Sequence, residues 1–224
     1  MILAAHQPQF CPWLGYFDKA RQADVFVLLD DVQFKKNEWQ NRNKIKTPKG
    51  PAWLTVPVIH EFGQAIREVK INNTADWQRK SLATVSQSYG RAESFSQAAS
   101  FLDTLFGRRW DRLVDINLFT IEWISRRLGV GTPMKLSSEL QVQGQATERL
   151  VNLCRALGAE TYLAGAGGHD YMDLGLFERA GIQVRFQEYV HPVYKQLHGE
   201  FVSHLSAIDL ILLEGDRGAP IAFR

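Results

Sequence analysis

The feature that most constrains the fold is the alternation of short apolar runs with amphipathic segments near the start of the chain. MILAAHQPQF predicts a buried strand that stops at a polar turn, because Pro8 has no backbone N–H to donate to a sheet. LGYFDKARQA predicts a helix, and DVFVLLD predicts a second strand that closes on Asp30 and Asp31. Strand, helix and strand in this order indicate a parallel α/β unit.

The second half of the chain repeats this alternation. MKLSSEL predicts a strand and ATERLVNLCRALG a helix, and the strand ETYLAG, the helix LGLFERAG and the strand IQVRFQEY follow. Residues 76–128 carry three segments with helical spacing, each ending in glycine, and predict a helical insertion. Residues 34–49 show neither period and predict a loop, whereas WLTVPVI and EVKINN predict a small antiparallel pair.

These patterns predict one α/β domain over residues 1–224. We expect a largely parallel Rossmann-like sheet with flanking helices, a small β-hairpin and a helical insertion at about residues 76–128.

Composition limits the compartment and the partners. The chain is 45% hydrophobic and 22% charged, as is typical of globular proteins, and its formal net charge is +2. It contains no secretory start and no apolar run near the ~20 residues that cross a bilayer. We therefore expect a cytoplasmic protein without membrane insertion. A local basic run suggests contact with a phosphorylated ligand, and a solvated loop is the alternative. Its members are Lys35, Lys36, Arg42, Lys44, Lys46 and Lys49.

Thiol and metal chemistry find little support in the sequence. Cys11 and Cys154 are far apart and lie beside apolar residues, so we predict buried free thiols and no disulfide. His169 and Asp170 have no third ligand at helical or hairpin spacing, so no metal site is predicted, although a metal that accompanies a nucleotide is left open. No Gly-x-Ser-x-Gly elbow of a serine hydrolase is present.

Three polar clusters follow predicted strands, and open α/β sheets bind ligands at such strand ends. The first cluster is His6-Gln7-Pro8-Gln9 with Trp13 and Gly15, of which His6, Gln7 and Trp13 are the candidate site residues. A histidine at a strand end can serve as a general base or contact a phosphate, but an isolated histidine is more often a hydrogen-bonded structural residue.

The second cluster follows the second strand. Asp30 and Asp31 are consecutive, so their carboxylates point to opposite faces of a strand and one of them faces a given pocket. The amides and the guanidinium that follow suit sugar hydroxyls, a base edge or a phosphate, and the alternative is a surface loop that caps its own turns. These candidate binding residues are Gln33, Trp39, Asn41, Arg42 and Asn43.

The third cluster starts with GAGGHDY, directly after a predicted strand. Glycines let backbone N–H groups approach a phosphate or carboxylate, although a plain tight turn is equally compatible with them. The motif matches neither a dinucleotide fingerprint nor a P-loop, which would need a lysine. The candidate binding residues here are Gly165, Gly167, Gly168 and Tyr171, followed by His191, Tyr194, Gln196 and Asp209.

The first two clusters lie in HQPQFCPWLGYFDKARQADVFVLLDDVQFKKNEWQNRNKIKT, which resembles the amino-terminal signature of WbqC-like proteins. The resemblance continues through RLVNLCRALGAETYLAGAGGHDY, GIQVRFQEYVHPVYKQ and LSAIDLILLEG. It implies a bacterial protein associated with O-antigen and other surface-polysaccharide biosynthesis. In that context we expect a transferase that moves an acyl or aminoacyl group onto a nucleotide-linked amino sugar, from acyl-CoA or aminoacyl-tRNA. A homo-oligomer is compatible with this expectation.

A fainter similarity links the strand that ends at His6 to pantothenate synthetase and related adenylate-forming nucleotidyltransferases. In those enzymes, histidines at a strand-to-helix turn stabilise the phosphate transition state. Gly15 and Tyr16 stand where a second such histidine is expected. An ATP-using adenylate-forming ligase is therefore the second hypothesis, and a non-catalytic ligand-binding partner of a polysaccharide assembly enzyme is the third.

The transferase hypothesis gives each cluster a role. His6 would remove a proton from the accepting amine, and Asp30 or Asp31 would orient its ring. Arg42 and the 165–168 loop would hold phosphate, and we predict that this loop and His6 border one cavity. The aromatic residues that would pack against flat or apolar ligand faces are Trp13, Trp39 and Tyr171.

Overall fold

The structure is a computed structural model that describes residues 1–224. Its strands are β1 (Ile2–His6), β2 (Val25–Leu28), β3 (Arg42–Thr47), β4 (Gly50–Thr55), β5 (Val58–Ile59), β6 (Lys70–Ile71), β7 (Met134–Leu136), β8 (Thr161–Ala164) and β9 (Gln183–Phe186). Its helices are α1 (Leu14–Arg21), α2 (Trp77–Tyr89), α3 (Ala99–Gly107), α4 (Leu113–Arg127), α5 (Ser137–Leu140), α6 (Ala146–Leu157), α7 (Leu174–Arg179), α8 (Ile208–Glu214) and α9 (Gly218–Ala222).

The predicted Rossmann-like α/β class is confirmed. Five strands form one sheet in the order β7-β2-β1-β8-β9, and all its neighbouring pairs are parallel. β3 and β4 form an antiparallel hairpin, and β5 and β6 form a second, very short antiparallel pair. The helices α2, α3 and α4 lie between β6 and β7 in the chain, where the helical insertion was predicted.

Internal contacts group the residues into two compact units. The first, here called the sheet unit, comprises residues 1–7, 18–31 and 131–190 and contains the five-stranded sheet. The second, here called the helical unit, comprises residues 8–17, 32–130 and 191–224. That the chain forms one domain stays a prediction.

One core of the sheet unit lies between the sheet and two helices. Leu3, Ala5 and Val27 project from β1 and β2 towards Leu153 of α6 and Phe177 of α7, and all of them are buried. A parallel sheet covered on its faces needs nearly continuous apolar strands, and every residue of β2 is buried. This explains why the short runs LAA and VFVL form strands with so few residues.

The prediction of a loop over residues 34–49 is wrong for residues 42–47, which form β3. Asn43 and Ile45 are buried and alternate with the half-buried Arg42 and Lys44, so the strand period is present. The inward position of Asn43 is filled by an amide whose Nδ2 donates to the Cys11 carbonyl at 2.7 Å. A polar residue on the buried face concealed the alternation, because only apolar residues signal burial in a sequence.

Two other predictions of secondary structure are only partly correct. The segments WLTVPVI and EVKINN do pair, but through Val58–Ile59 and Lys70–Ile71, because β4 pairs with β3 instead. In MKLSSEL the strand ends at Leu136, and Ser137–Leu140 form the short helix α5. No helix of the structure combines the length and the apolar character that a membrane crossing requires.

Candidate functional site

The strand order creates one point in the sheet where the connections reverse direction. From β1 the chain proceeds to β2 and β7 on one side, whereas β8 and β9 lie on the other side. The carboxyl ends of β1 and β8 therefore flank a topological switch point, which is where open α/β sheets bind their ligands. Ala4 pairs with Leu163, so by the same register His6 and Gly165 leave the sheet side by side. The first and third predicted clusters thus begin at one sheet edge, and the cavity that they would share stays a prediction.

Lys19 places a buried amine at this edge. Its side chain comes from α1, is 4% exposed, and donates from Nζ to the Ala5 carbonyl at 2.9 Å. A Cβ atom at Gly165 would lie 4.0 Å from the same Nζ, so the amine sits between the ends of β1 and β8. None of the ion pairs of the protein includes Lys19. Burial lowers the pKa of the Lys19 ammonium to about 8.

His6 shares this environment. Its Nδ1 lies 3.2 Å from the Gln7 carbonyl oxygen. Burial, followed by the positive charge of Lys19, lowers the pKa of His6 to about 3, and the hydrogen bond to Gln7 opposes this shift. The imidazole is therefore neutral near pH 7. A neutral ring can accept a proton, but the resulting imidazolium is unfavourable beside an uncompensated ammonium.

The consecutive carboxylates at the end of β2 hold α5 and α6. Asp30 is buried and accepts hydrogen bonds from the Ser138 N–H at 3.0 Å and the Ser138 hydroxyl at 2.7 Å. Asp31 accepts from the Ser137 hydroxyl and pairs with Arg149, both at 2.5 Å. These contacts favour an anchoring role over the proposed orientation of His6, which stays a prediction.

The glycines of the loop after β8 differ in how closely neighbouring atoms pack against them. Ala166–Asp170 form a single 3₁₀ turn that follows β8. A Cβ atom at Gly168 would lie 2.9 Å from the Met172 sulfur and 3.1 Å from the Ala164 Cβ, so close packing requires this glycine. At Gly167 a Cβ atom would meet nothing within 4 Å. The predicted site residue Tyr171 is 73% exposed at the end of the turn.

A second buried polar group at the same sheet edge was missed from the sequence. Gln187 follows β9, is buried, and donates from Nε2 to Asp18 at 2.7 Å. Asp18 also accepts hydrogen bonds from Arg21 and Gln22. No pattern in YFDKARQA indicated the burial of Asp18 and Lys19, because two successive charged residues lie about 100° apart and both fit on the polar face of a helix. Both are buried.

Two predicted binding residues of the helical unit, Asn41 and Asn43, form hydrogen bonds with the backbone, and their role in binding stays a prediction. The buried Asn41 donates from Nδ2 to the Val56 carbonyl at 3.0 Å and accepts from the Asn37 N–H at 3.1 Å. The buried Asn43 bonds the Cys11 carbonyl in the same way. The Gln33 side chain is exposed, and its backbone forms an antiparallel bridge with Ala65. The side-chain amides of Asn41 and Asn43 therefore hold the loop before β3 and β3 itself in place.

Asp209 is the centre of a buried network in the helical unit. It accepts hydrogen bonds from Tyr89 at 2.5 Å, Tyr194 at 2.8 Å and Gln196 at 3.0 Å. Burial raises the pKa of Asp209, and the three hydrogen bonds oppose that shift. Asp209 has no exposed surface and its donors come from two separate segments, so the network joins α8 to the end of α2 and to residues 194–196. The sequence did not indicate Tyr89.

Trp13 and His191, also predicted to bind substrate, stack in the helical unit. Their ring centroids are 6.5 Å apart with planes 7° apart, and His204 lies 5.1 Å from Trp13. A Cβ atom at Gly15 would lie 2.1 Å from the Trp13 ring, so glycine is required there. Trp39 and Arg42 each lie against Trp53 of the β3–β4 hairpin in the same unit.

Both cysteines are buried free thiols, as predicted. Burial raises the pKa of Cys154 to about 12 and raises the pKa of Cys11 further, so neither forms a thiolate readily. No group of three or more His, Cys, Asp or Glu side chains is arranged to hold a metal ion.

The fold and the switch-point residues define a Rossmann-like α/β protein whose candidate site lies at the carboxyl edge of its sheet. Residues 7–220 match the model of the WbqC-like protein family, and the chain belongs to that family. It is 34% identical over 217 residues to Uncharacterized protein Rv1507c of Mycobacterium tuberculosis. The aligned region covers 95% of this chain and 94% of that relative. No solved structure matches the chain.

Proposed function

We propose that the protein is a transferase of bacterial surface-polysaccharide biosynthesis that binds the diphosphate of a nucleotide-linked amino sugar at the switch point. The observation that carries this proposal is the buried Lys19 amine, which has no carboxylate partner. An ammonium removed from water is unfavourable unless an anion compensates for the lost hydration. A diphosphate at the ends of β1 and β8 would supply that anion, in the region of the fold where nucleotides bind.

His6 supplies the acid–base group for the transfer. The free amine of the sugar attacks the carbonyl carbon of the activated acyl donor, and the new C–N bond forms as the bond to the leaving group breaks. His6 takes the proton that the amine loses and returns it to the leaving thiolate or ribose oxygen. The bound diphosphate offsets the charge of Lys19, so it raises the pKa of His6 towards a useful range when substrate is present.

The adenylate-forming alternative uses the same two residues. A lysine and a histidine at a strand end can also stabilise the charge on a phosphate that is being attacked. This alternative requires ATP and releases AMP, and the transferase requires neither, so product analysis separates the two.

The binding test compares the wild-type protein with Lys19→Met, titrated calorimetrically with a panel of UDP-, dTDP- and GDP-linked amino sugars. Methionine keeps an apolar stem and removes the amine. We expect one of the sugars to bind, and the variant to bind it about 10- to 150-fold more weakly, because hydrogen bonds to charged groups contribute roughly 1.5–3 kcal/mol. Lys80→Met, which removes an exposed lysine of α2, is the matched control and should bind normally.

The pH dependence of binding gives an independent readout. The amine of the free protein loses its proton near pH 8, and a bound diphosphate raises that pKa, so binding above about pH 8 requires proton uptake. The affinity should therefore be constant below about pH 8 and should fall above it, and Lys19→Met should lack this fall. Equal affinity of the wild type and Lys19→Met would refute the proposed site.

A further inference from the structure

The outer face of the β3–β4 hairpin combines two exposed indole rings with two cations. Lys44 stands opposite Trp53 in the hairpin register, so both project from the same face. The Arg42 guanidinium carbon lies 4.1 Å and the Lys44 Nζ 4.8 Å from the Trp53 ring centroid. Trp39 lies 5.5 Å from Trp53, centroid to centroid. Trp39 and Trp53 are 38% and 41% exposed, although tryptophan is highly buried on average.

The segment that contains β3 is basic, although its Lys46 is buried and donates to Gln196 and to the Gly199 carbonyl. Residues 35–49 contain six lysines and arginines against one acidic residue, Glu38, whereas the whole chain has a net charge of +2, so the remainder is net negative. Neither Arg42 nor Lys44 takes part in an ion pair. The buried Nε of Arg42 also has no hydrogen-bond partner. These cations are held in place by the Trp53 ring and are not neutralised by the protein.

We propose that this face is a binding platform for single-stranded nucleic acid. Single strands bind where cations follow the phosphate backbone and aromatic rings stack with unpaired bases, and the hairpin presents both groups within a few ångströms. A neutral glycan would use the rings without the cations, and a double helix would use the cations without the rings. The combination therefore favours an anionic polymer with exposed bases. This inference does not depend on the diphosphate site.

The test measures the fluorescence anisotropy of a labelled oligouridylate of about 12 nucleotides, a length within the range of known single-strand sites. We expect Trp53→Ala and Trp39→Ala each to weaken binding by about 5- to 150-fold, the range that the loss of one stacked base produces. Trp53→Phe keeps a ring and should retain part of the affinity, which separates stacking from loss of the hairpin fold. In a double variant, Arg42→Gln with Lys44→Gln, the slope of log affinity against log salt should fall by about 1.4.

Controls and competing ligands decide the outcome. Phe62→Ala removes a 98% exposed aromatic residue outside the hairpin, and Lys80→Gln removes an exposed lysine, and both should bind as the wild type does. Lys19→Met should also leave oligonucleotide binding unchanged, whatever its effect on nucleotide sugars. The proposal fails if the oligonucleotide does not bind at low salt, or if a duplex or an abasic strand binds equally well. It also fails if only neutral oligosaccharides bind in a Trp53-dependent manner.

Discussion

Lys19 and His6 occupy one electrostatic environment, in which the positive charge of Lys19 disfavours protonation of His6. Burial and the Lys19 charge keep His6 neutral, with a pKa near 3, and burial brings the pKa of Lys19 to about 8. A bound anion would reverse both shifts, because opposite charge favours the protonated forms. The pair is therefore poorly suited to catalysis without ligand and better suited with a diphosphate in place.

This coupling predicts the behaviour of His6→Asn. Asparagine keeps a polar side chain at the end of β1 but cannot accept a proton, so nucleotide-sugar affinity should remain within a few-fold of wild type. The chemical step, measured by single-turnover kinetics, should slow by ~10²–10⁴-fold, the usual contribution of a positioned acid–base group. His60→Asn, in the loop after β5, is the control and should react normally. Near wild-type turnover with weaker binding would instead make His6 a ligand-positioning residue.

At the scale of elements, the turn after β8 contains one glycine that is tightly packed and one that is open. Gly168 is enclosed by Met172, Ala164 and Phe186, whereas Gly167 in the same turn is open. The Met172 side chain can move, but the Ala164 Cβ is fixed by the strand, so an added methyl group at Gly168 must displace the backbone of the turn. Close packing therefore explains the glycine at position 168 but not the glycine at position 167.

Gly168→Ala should lower the free energy of unfolding by about 1–3 kcal/mol, the usual effect of overpacking a close contact. Gly167→Ala should change it by less than about 0.5 kcal/mol, as expected for an open surface position. Urea denaturation followed by circular dichroism measures both. If Gly168→Ala is as stable as the wild type and Gly167→Ala loses nucleotide-sugar binding, the glycines serve backbone approach to the ligand instead of packing.

The elements show where sequence reasoning succeeds and where it stops. Runs such as LAA in β1 and VFVL in β2 could be predicted because apolar residues there coincide with burial. β3 could not, because its inward positions include Asn43, whose burial depends on a distant carbonyl. Lys19 escaped prediction for a related reason: a charged residue on a helix is normally exposed, and only the tertiary structure shows its burial. The strand-end position of His6 followed from the sequence, whereas its low pKa did not.

At the scale of the whole molecule, the family match identifies the family of the chain but not the reaction that it catalyses. The family match spans residues 7–220 and therefore includes β8 and its glycine-rich turn, and α1 with Lys19, but the family description names no reaction. The proposed diphosphate site at the switch point does not identify the sugar that the nucleotide would carry. The basic hairpin face adds a second, chemically distinct surface. The reaction class must therefore be determined by analysis of the reaction products.

The last prediction concerns those products. The nucleotide sugar that binds in a Lys19-dependent manner is incubated with the protein and with acyl-CoA, aminoacyl-tRNA or the corresponding free carboxylic or amino acid, with and without ATP, and analysed by mass spectrometry. We expect the sugar to gain one acyl or aminoacyl group without ATP and without release of AMP, because the donor is already activated. His6→Asn should suppress this product while binding persists, which ties the reaction to the site. AMP formed in proportion to product would identify an adenylate-forming ligase, and tight binding without product from any donor would identify a binding partner of an assembly enzyme.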